Sequence, residues 1–234
     1  MFCVKSDAGK NTMLEFKNVS KWFNGTQGKV TALNDVSFSV QPGELLAIRG
    51  PSGCGKTTLL LAAGGLLRPS EGRISLEGRD PYELTPEQRS KLRARMIGFV
   101  FQQFHLIPYL TVRQNILAAS LALPGKKASA KADEMIHHFG LDDRINHVPS
   151  QLSTGERQRT ALARAILNQP KVILADEPTG NLDEDNAQTV FGYLSQYVND
   201  GGCALLVTHD DRAAAHATRT LQMRQAQLVD QSNI

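Results

Sequence analysis

The sequence predicts an α/β fold built on a mainly parallel sheet. Three observations predict it. Three short apolar runs stand apart in the chain: ELLAI (44–48), VILAD (172–176) and CALLVTH (203–209). Helical periodicity fills the stretches between them. A glycine-rich loop follows the first run directly. Near-continuous apolar strands are buried on both faces, the condition of a parallel sheet covered by helices.

The elements follow in chain order. Residues 1–12 read as a polar leader. MLEFKNV (13–19) and DVSFSV (35–40) alternate apolar and polar residues, as half-buried strands do, with GTQG (25–28) as a turn between them. ELLAI is a buried strand. Lys56 to Leu67 reads as a helix stopped by RPSEG (68–72). RISLEG (73–78) is a strand, and TPEQRSKLRARM (85–96) a helix with Thr85 as cap and Pro86 in the first turn. IGFVF (97–101) is a strand. The block 103–168 is mostly helical, broken by LPGKK (123–127) and NHVPS (146–150), and reads as an insertion. VILAD is a second buried strand. Ala187, Val190, Phe191, Leu194 and Val198 mark one face of a helix. CALLVTH is a third buried strand, and the tail from about 218 to 230 a hairpin.

Bulk properties narrow the function. A chain of 234 residues, 41% hydrophobic, can bury one good-sized core, or a core with a helical lobe. Lys and Arg total 26 against 23 Asp and Glu, a net +3 that gives no argument for nucleic acid. Cys3, Cys54 and Cys203 are too few and too irregular for a disulfide framework or a zinc site. No apolar run approaches the ~20 residues of a membrane span.

The loop carries the chemistry. Gly50-Pro51-Ser52-Gly53-Cys54-Gly55-Lys56-Thr57 fits the phosphate-binding pattern GxxxxGK[ST]. It also stands where the mechanism needs it, between a buried strand and a helix. Glycines let backbone N–H groups turn toward a phosphate, and the helix N-terminus adds partial positive charge. Lys56 is expected to bridge β- and γ-oxygens, Thr57 to offer its hydroxyl to Mg²⁺, and Thr58 to reach a phosphate oxygen. Cys54 reads as a small filler of the loop. VILADEP then ends a buried strand on Asp176 and Glu177, and adjacent strand residues point to opposite faces. Asp176 is expected to serve the metal, and Glu177 to act as general base or water-orienting group.

LSTGERQR (152–159) joins these motifs. With the glycine loop and ADEPTGNLD (175–183) it resembles the ATP-binding-cassette ATPases over nearly the whole chain. The resemblance implies a P-loop NTPase core with a mainly parallel sheet, an N-terminal antiparallel β subdomain and an inserted α-helical subdomain. Residues 13–234 then form one ATPase domain, with 13–102 and 169–234 as nucleotide-binding core and 103–168 as helical lobe. It also implies roles. Gln102 is the glutamine that senses Mg²⁺ and the γ-phosphate. Leu152 to Glu156 is the signature, whose Ser153 and Gly155 contact a γ-phosphate. Asn181-Leu182-Asp183 is the D-loop, and His209 the switch histidine. Phe23 stacks on adenine, with Trp22 as the alternative. The usual signature is Leu-Ser-Gly-Gly-Gln. Here Thr154 replaces the first glycine, and Glu156 replaces glutamine and sets a carboxylate near an anion, a mild cost.

In that family the signature of one cassette caps the ATP held by another. The resemblance therefore implies a homodimer around two MgATP, driving integral-membrane permease subunits from the cytoplasmic side of the inner membrane. FHLIPYLTVRQNI (104–116) is the expected permease contact. The motif wording is similar to the lipoprotein-release, macrolide-export and cell-division branch. A non-transport ATPase of the same family is the alternative. No guanine-reading Asn-Lys-x-Asp supports a GTPase, and no nucleic-acid partner is expected.

Overall fold

The computed structural model describes residues 12–25, 28–120 and 125–229. The expected leader, apart from Thr12, the centre of the GTQG turn and the start of LPGKK lie outside these residues.

β1 (Leu14–Gly25) and β2 (Gly28–Val40) pair antiparallel along nearly their whole length. β3 (Leu45–Arg49) runs into the glycine loop and α1 (Lys56–Ala63). β4 (Glu71–Leu76) returns to the far side of β1, giving a three-stranded sheet ordered β2-β1-β4. α2 (Pro86–Met96) starts on a capping box in which Thr85 and Gln88 bond each other's backbone N–H, and β5 (Ile97–Phe101) follows. The insertion holds α3 (Val112–Leu117), α4 (Gly125–His138) and α5 (Thr154–Ile166). β6 (Val172–Asp176), α6 (Glu184–Asn199), β7 (Cys203–Thr208) and α7 (Asp211–Ala215) come next. β8 (Arg219–Arg224) and β9 (Gln227–Val229) close the chain as a hairpin. The second sheet is ordered β5-β6-β7-β3-β8-β9, parallel throughout except for the β8–β9 pair.

Two apolar layers explain the uninterrupted strands. Leu46, Ile48, Leu174, Leu205 and Val207 face α1 and the antiparallel sheet, meeting Leu59, Leu60, Phe16 and Ile74. Their neighbours Leu45, Ala47, Ile173, Ala175 and Leu206 face the insertion and α6, meeting Ile136, Leu162 and Leu194. Each side of the sheet has its own core, so β3, β6 and β7 are apolar at every position before their last residues, Arg49, Asp176 and Thr208.

Two expectations need adjusting. α1 ends at Ala63 rather than Leu67. Gly65 takes φ 66° and ends the helix, its N–H donating to Ala62 O at 3.1 Å and Leu66 N–H to Leu61 O at 3.0 Å, while Gly64 leaves room for the Phe99 ring beside it. The first two strands are also longer than their alternating cores, because the exposed Phe23–Gly25 and Gly28–Thr31 extend the ladder.

Candidate functional site

The glycine loop is bound at both ends. Gly50 N–H donates to Thr208 O at 3.2 Å, and Cys54 N–H to Pro51 O at 3.3 Å. A Cβ at Gly50 would overlap Met223 O and fall 2.8 Å from Cys54 Sγ. Gly55 sits at φ 111° in front of α1, where a Cβ would overlap Ala32 O on β2. The loop is thus wedged between β2 and β8, while Pro51, Ser52 and Gly53 stay exposed. Lys56 is buried, and its Nζ donates to Gly50 O at 2.6 Å and Pro51 O at 3.0 Å. Those carbonyls fix an ammonium inside the loop, where a phosphate would meet it. Thr58 is half-buried on the first turn.

Two carboxylates stand beside the loop. Thr57 Oγ1 donates to Asp176 Oδ2 at 3.0 Å. Burial pushes the Asp176 pKa up; Glu177 adds to this and the Thr57 hydrogen bond opposes it. Glu177 follows the end of β6 with φ 45°, so the two acids diverge through a left-handed backbone as well as through strand alternation. Thr208 Oγ1 donates to Glu177 Oε2 at 2.8 Å, and His209 Nδ1 lies 2.7 Å from Glu177 Oε1. Both carboxylate oxygens are held from the end of β7. A pocket of about 230 Å³ opens between Gly50, Pro51, His209 and Arg224.

Gln102 is exposed in the turn after β5. Its carbonyl accepts from Asn181 Nδ2 at 3.1 Å, which ties this turn to the segment before Asp183. Phe23 is 43% exposed near the tip of the β1–β2 hairpin, opposite Val30. Trp22 is half-buried with Lys29 Nζ 3.6 Å from its ring centroid, so its face is already covered.

Ser153, Gly155 and Asp183 lie elsewhere. Ser153 caps α5: its Oγ accepts Glu156 N–H at 3.2 Å, and Glu156 Oε2 accepts Ser153 N–H at 2.7 Å. Arg144 Nε reaches Glu156 Oε1 at 2.8 Å. The unusual Glu156 therefore completes a capping box and an ion pair, which offsets the expected cost of its charge. Asp183 caps α6 by accepting Asn186 N–H at 2.9 Å. Among the described residues no hydrogen bond or ion pair joins 152–156 to the glycine loop.

Sequence reasoning missed three contributors. Thr208 orients Glu177, and the polar residue just before His209 in an apolar strand was its signal. Glu156 had a local signal too, the Ser-x-x-Glu spacing. Asn186, beside Gly155, had none.

The family described as ABC transporter matches residues 33–180. The chain belongs to that family. It is an ABC transporter ATPase domain, with the mixed α/β architecture of the cassettes. It is 40% identical over 219 residues to the macrolide export ATP-binding/permease protein MacB of Salmonella typhi, covering 93% of this chain and 34% of that protein. It is 39% identical, with the same coverage, to the probable syringafactin export ATP-binding/permease protein SyfD of Pseudomonas syringae pv. syringae. The chain thus spans about a third of the length of these relatives. Among solved structures, a dimeric post-hydrolysis state of the ATP-binding cassette MJ0796, bound to ADP and Pi, superposes with a TM-score of 0.86 at 34% identity, covering 93% of this chain and 97% of that one. The cbiO1 protein of Clostridium perfringens, part of the ABC transporter complex cbiONQ, gives 0.82 at 26% identity, covering 94% and 88%. The ABC ATPase domain carries the glycine loop, Asp176, Glu177, residues 152–156 and His209 on one frame. Among its described residues no helix is long and apolar enough to cross a membrane.

Proposed function

We propose that this ABC ATPase domain binds and hydrolyses MgATP in a head-to-tail pair, and that the pair drives a membrane permease of export type. The observation that carries the reading is that, among the described residues, no hydrogen bond or ion pair joins 152–156 to the glycine loop. The loop, Asp176 and Glu177 form one half of a site. The Ser153 cap at the tip of α5 forms the other, out of bonding reach of its own loop.

The residues fit the nucleotide. Gly50 and Gly55 leave no room for side chains, Lys56 is set inside the loop, and the loop opens onto the N-terminus of α1. Thr57 and Asp176 offer a hydroxyl and a carboxylate oxygen, the hard donors that Mg²⁺ takes alongside phosphates. When bound, Mg²⁺ would neutralise charge on the phosphates. Glu177, held by Thr208 and His209, orients the attacking water and takes its proton. Gln102 and His209 report on the γ-phosphate from either side, and Gln102 also joins the metal site. Phe23, more exposed than Trp22 and with Lys21 Nζ 5.2 Å from its centroid against 3.6 Å for Lys29 over Trp22, offers its ring to adenine.

The helix that Ser153 caps turns its positive end outward, toward an anion held by a second copy. Residues 103–168 serve as the lobe that carries this tip, with 13–102 and 169–234 as the nucleotide core. The segment 104–116, with Tyr109 79% exposed, is the permease contact on the cytoplasmic side of the membrane. MacB and SyfD, both named as export ATP-binding/permease proteins, support the export reading.

Glu177→Gln tests it. The variant should bind ATP, lose hydrolysis by about 10²-fold or more, and accumulate as an ATP-bound dimer on size-exclusion light scattering. Undiminished phosphate release would remove Glu177 from its role. A protein that stays monomeric at full turnover would remove the pair.

A further inference from the structure

Gly155 lies within the first turn of α5, where no left-handed backbone demands glycine. What bars a side chain is Asn186. A Cβ at Gly155 would overlap Asn186 Oδ1, fall 2.6 Å from its Cγ and 3.0 Å from its Nδ2. The amide is fixed from both sides. Its Nδ2 donates to both oxygens of Asp183 at 2.9 Å, and carboxylates only accept, so the nitrogen must face them. Its Oδ1 accepts from Arg159 Nη1 at 3.3 Å. Arg159 Nε is buried beside this contact with no hydrogen-bond partner among the described residues, so the guanidinium commits a buried group here at a cost.

We propose that Asn186 is a positioning residue: packed against the buried Gly155, it holds the exposed Ser153–Thr154 edge of the signature and the D-loop Asp183 in one register, so that both meet the partner cassette together. The inference rests on the two-cassette reading above. α5 belongs to the insertion and α6 to the segment following the catalytic acids. One amide spans the two, and the contact is close only because residue 155 has no Cβ. Two surface elements that must engage one partner at once lose affinity when either is misplaced by an ångström or so.

The test is a double-mutant cycle in the Glu177→Gln background, reading ATP-driven dimerisation by sedimentation. Asn186→Ala and Gly155→Ala should each weaken the dimer by about tenfold. The double variant should be no worse than Gly155→Ala alone, because removing the amide makes room for the new methyl. ATP affinity of the Asn186→Ala monomer should match the parent, since the glycine loop is untouched. A general packing defect would not produce that pattern. Asn186→Ser keeps a donor beside Asp183 while freeing Gly155, and replaces the alanine variant should that one fail to bind ATP. Losses that simply add, or an Asn186→Ala protein that dimerises like its parent, overturn the inference while leaving the two-cassette reading intact. A Glu177→Gln parent that stays monomeric in ATP defeats the reading itself, and the inference with it.

Discussion

Around residues 50–58 the main functional side chains have partners within the chain. Lys56 is bonded to loop carbonyls, Thr57 to Asp176, and Glu177 to Thr208 and His209. The tip of α5 differs. Ser153 and Glu156 bond each other and Arg144, and an exposed edge is left facing outward. Glycine is enforced differently too. Gly55 is fixed by a left-handed backbone and by β2, part of the nucleotide core, whereas Gly155 is fixed by one side chain from α6. The first region is preorganised by the sheet and can hold a ligand alone. On the two-cassette reading, the second is preorganised to meet a second copy of the chain.

The largest break in this contrast comes from Lys56→Ala. It removes the charge at the centre of the loop and leaves two carbonyls without their donor. Nucleotide titration should show ATP binding lost, with turnover down by about 10²–10³-fold. The α5 tip should be untouched, so the variant can still lend its signature to a loop-competent protomer. A Lys56→Ala protein that binds ATP as the parent does would show that the loop is not the phosphate site.

Ser153→Ala comes next and should act in the opposite order. Loss of the cap costs about 1 kcal/mol, a melting shift of roughly 2–4 °C at this chain length. Monomer ATP affinity should stay unchanged, while turnover falls about tenfold through the weakened pair. Mixing this variant with Lys56→Ala at equal concentration sharpens the comparison. A head-to-tail pair of the two contains one wild-type loop facing one wild-type tip, so activity per protomer should rise above that of either alone. A mixture no better than the mean of its parts would place loop and tip in the same protomer's site.

The same two regions show what was legible beforehand. The phosphate loop is a local pattern on a buried strand, and ELLAI, VILAD and CALLVTH correspond to β3, β6 and β7 to within a residue at either end. Two-sided burial leaves a continuous apolar signal that needs no partner to be read. The overrun of α1 passed over a signal that was local: Gly65, at φ 66°, closes the helix, with its N–H donating to Ala62 O at 3.1 Å and Leu66 N–H to Leu61 O at 3.0 Å. Around the α5 tip the capping box was local and readable as Ser-x-x-Glu. Arg144 and Asn186 were not, since an ion pair and an amide contact between separate segments leave no periodicity. Sequence reading recovers the buried strands, and misses what two segments decide together, along with local caps and stops such as Glu156 and Gly65 that leave no periodicity.

Glu156→Gln should have the smallest effect, and it separates stability from pairing. Burial alone would raise the Glu156 pKa, but the Ser153 N–H, the Arg144 guanidinium and the Ser153 side chain outweigh it and hold the carboxyl below its ordinary value of 4.5. A carboxylate depressed in the folded state contributes stability above its unfolded pKa, and loses it as pH falls through the folded value. Glutamine keeps the reciprocal cap but forfeits the ion pair, whose Arg144 side is 41% exposed and so only modestly stabilising. At pH 7 the variant should be less stable by about 0.5 kcal/mol, a gap that closes as pH drops below about 4. A gap independent of pH would assign the loss to packing instead of charge. Pairing should respond the other way: removing a negative charge beside the partner's triphosphate should leave the ATP-driven dimer as tight as before or tighter. A less stable chain that pairs at least as well would show that the carboxylate serves its own helix and not the nucleotide across the seam.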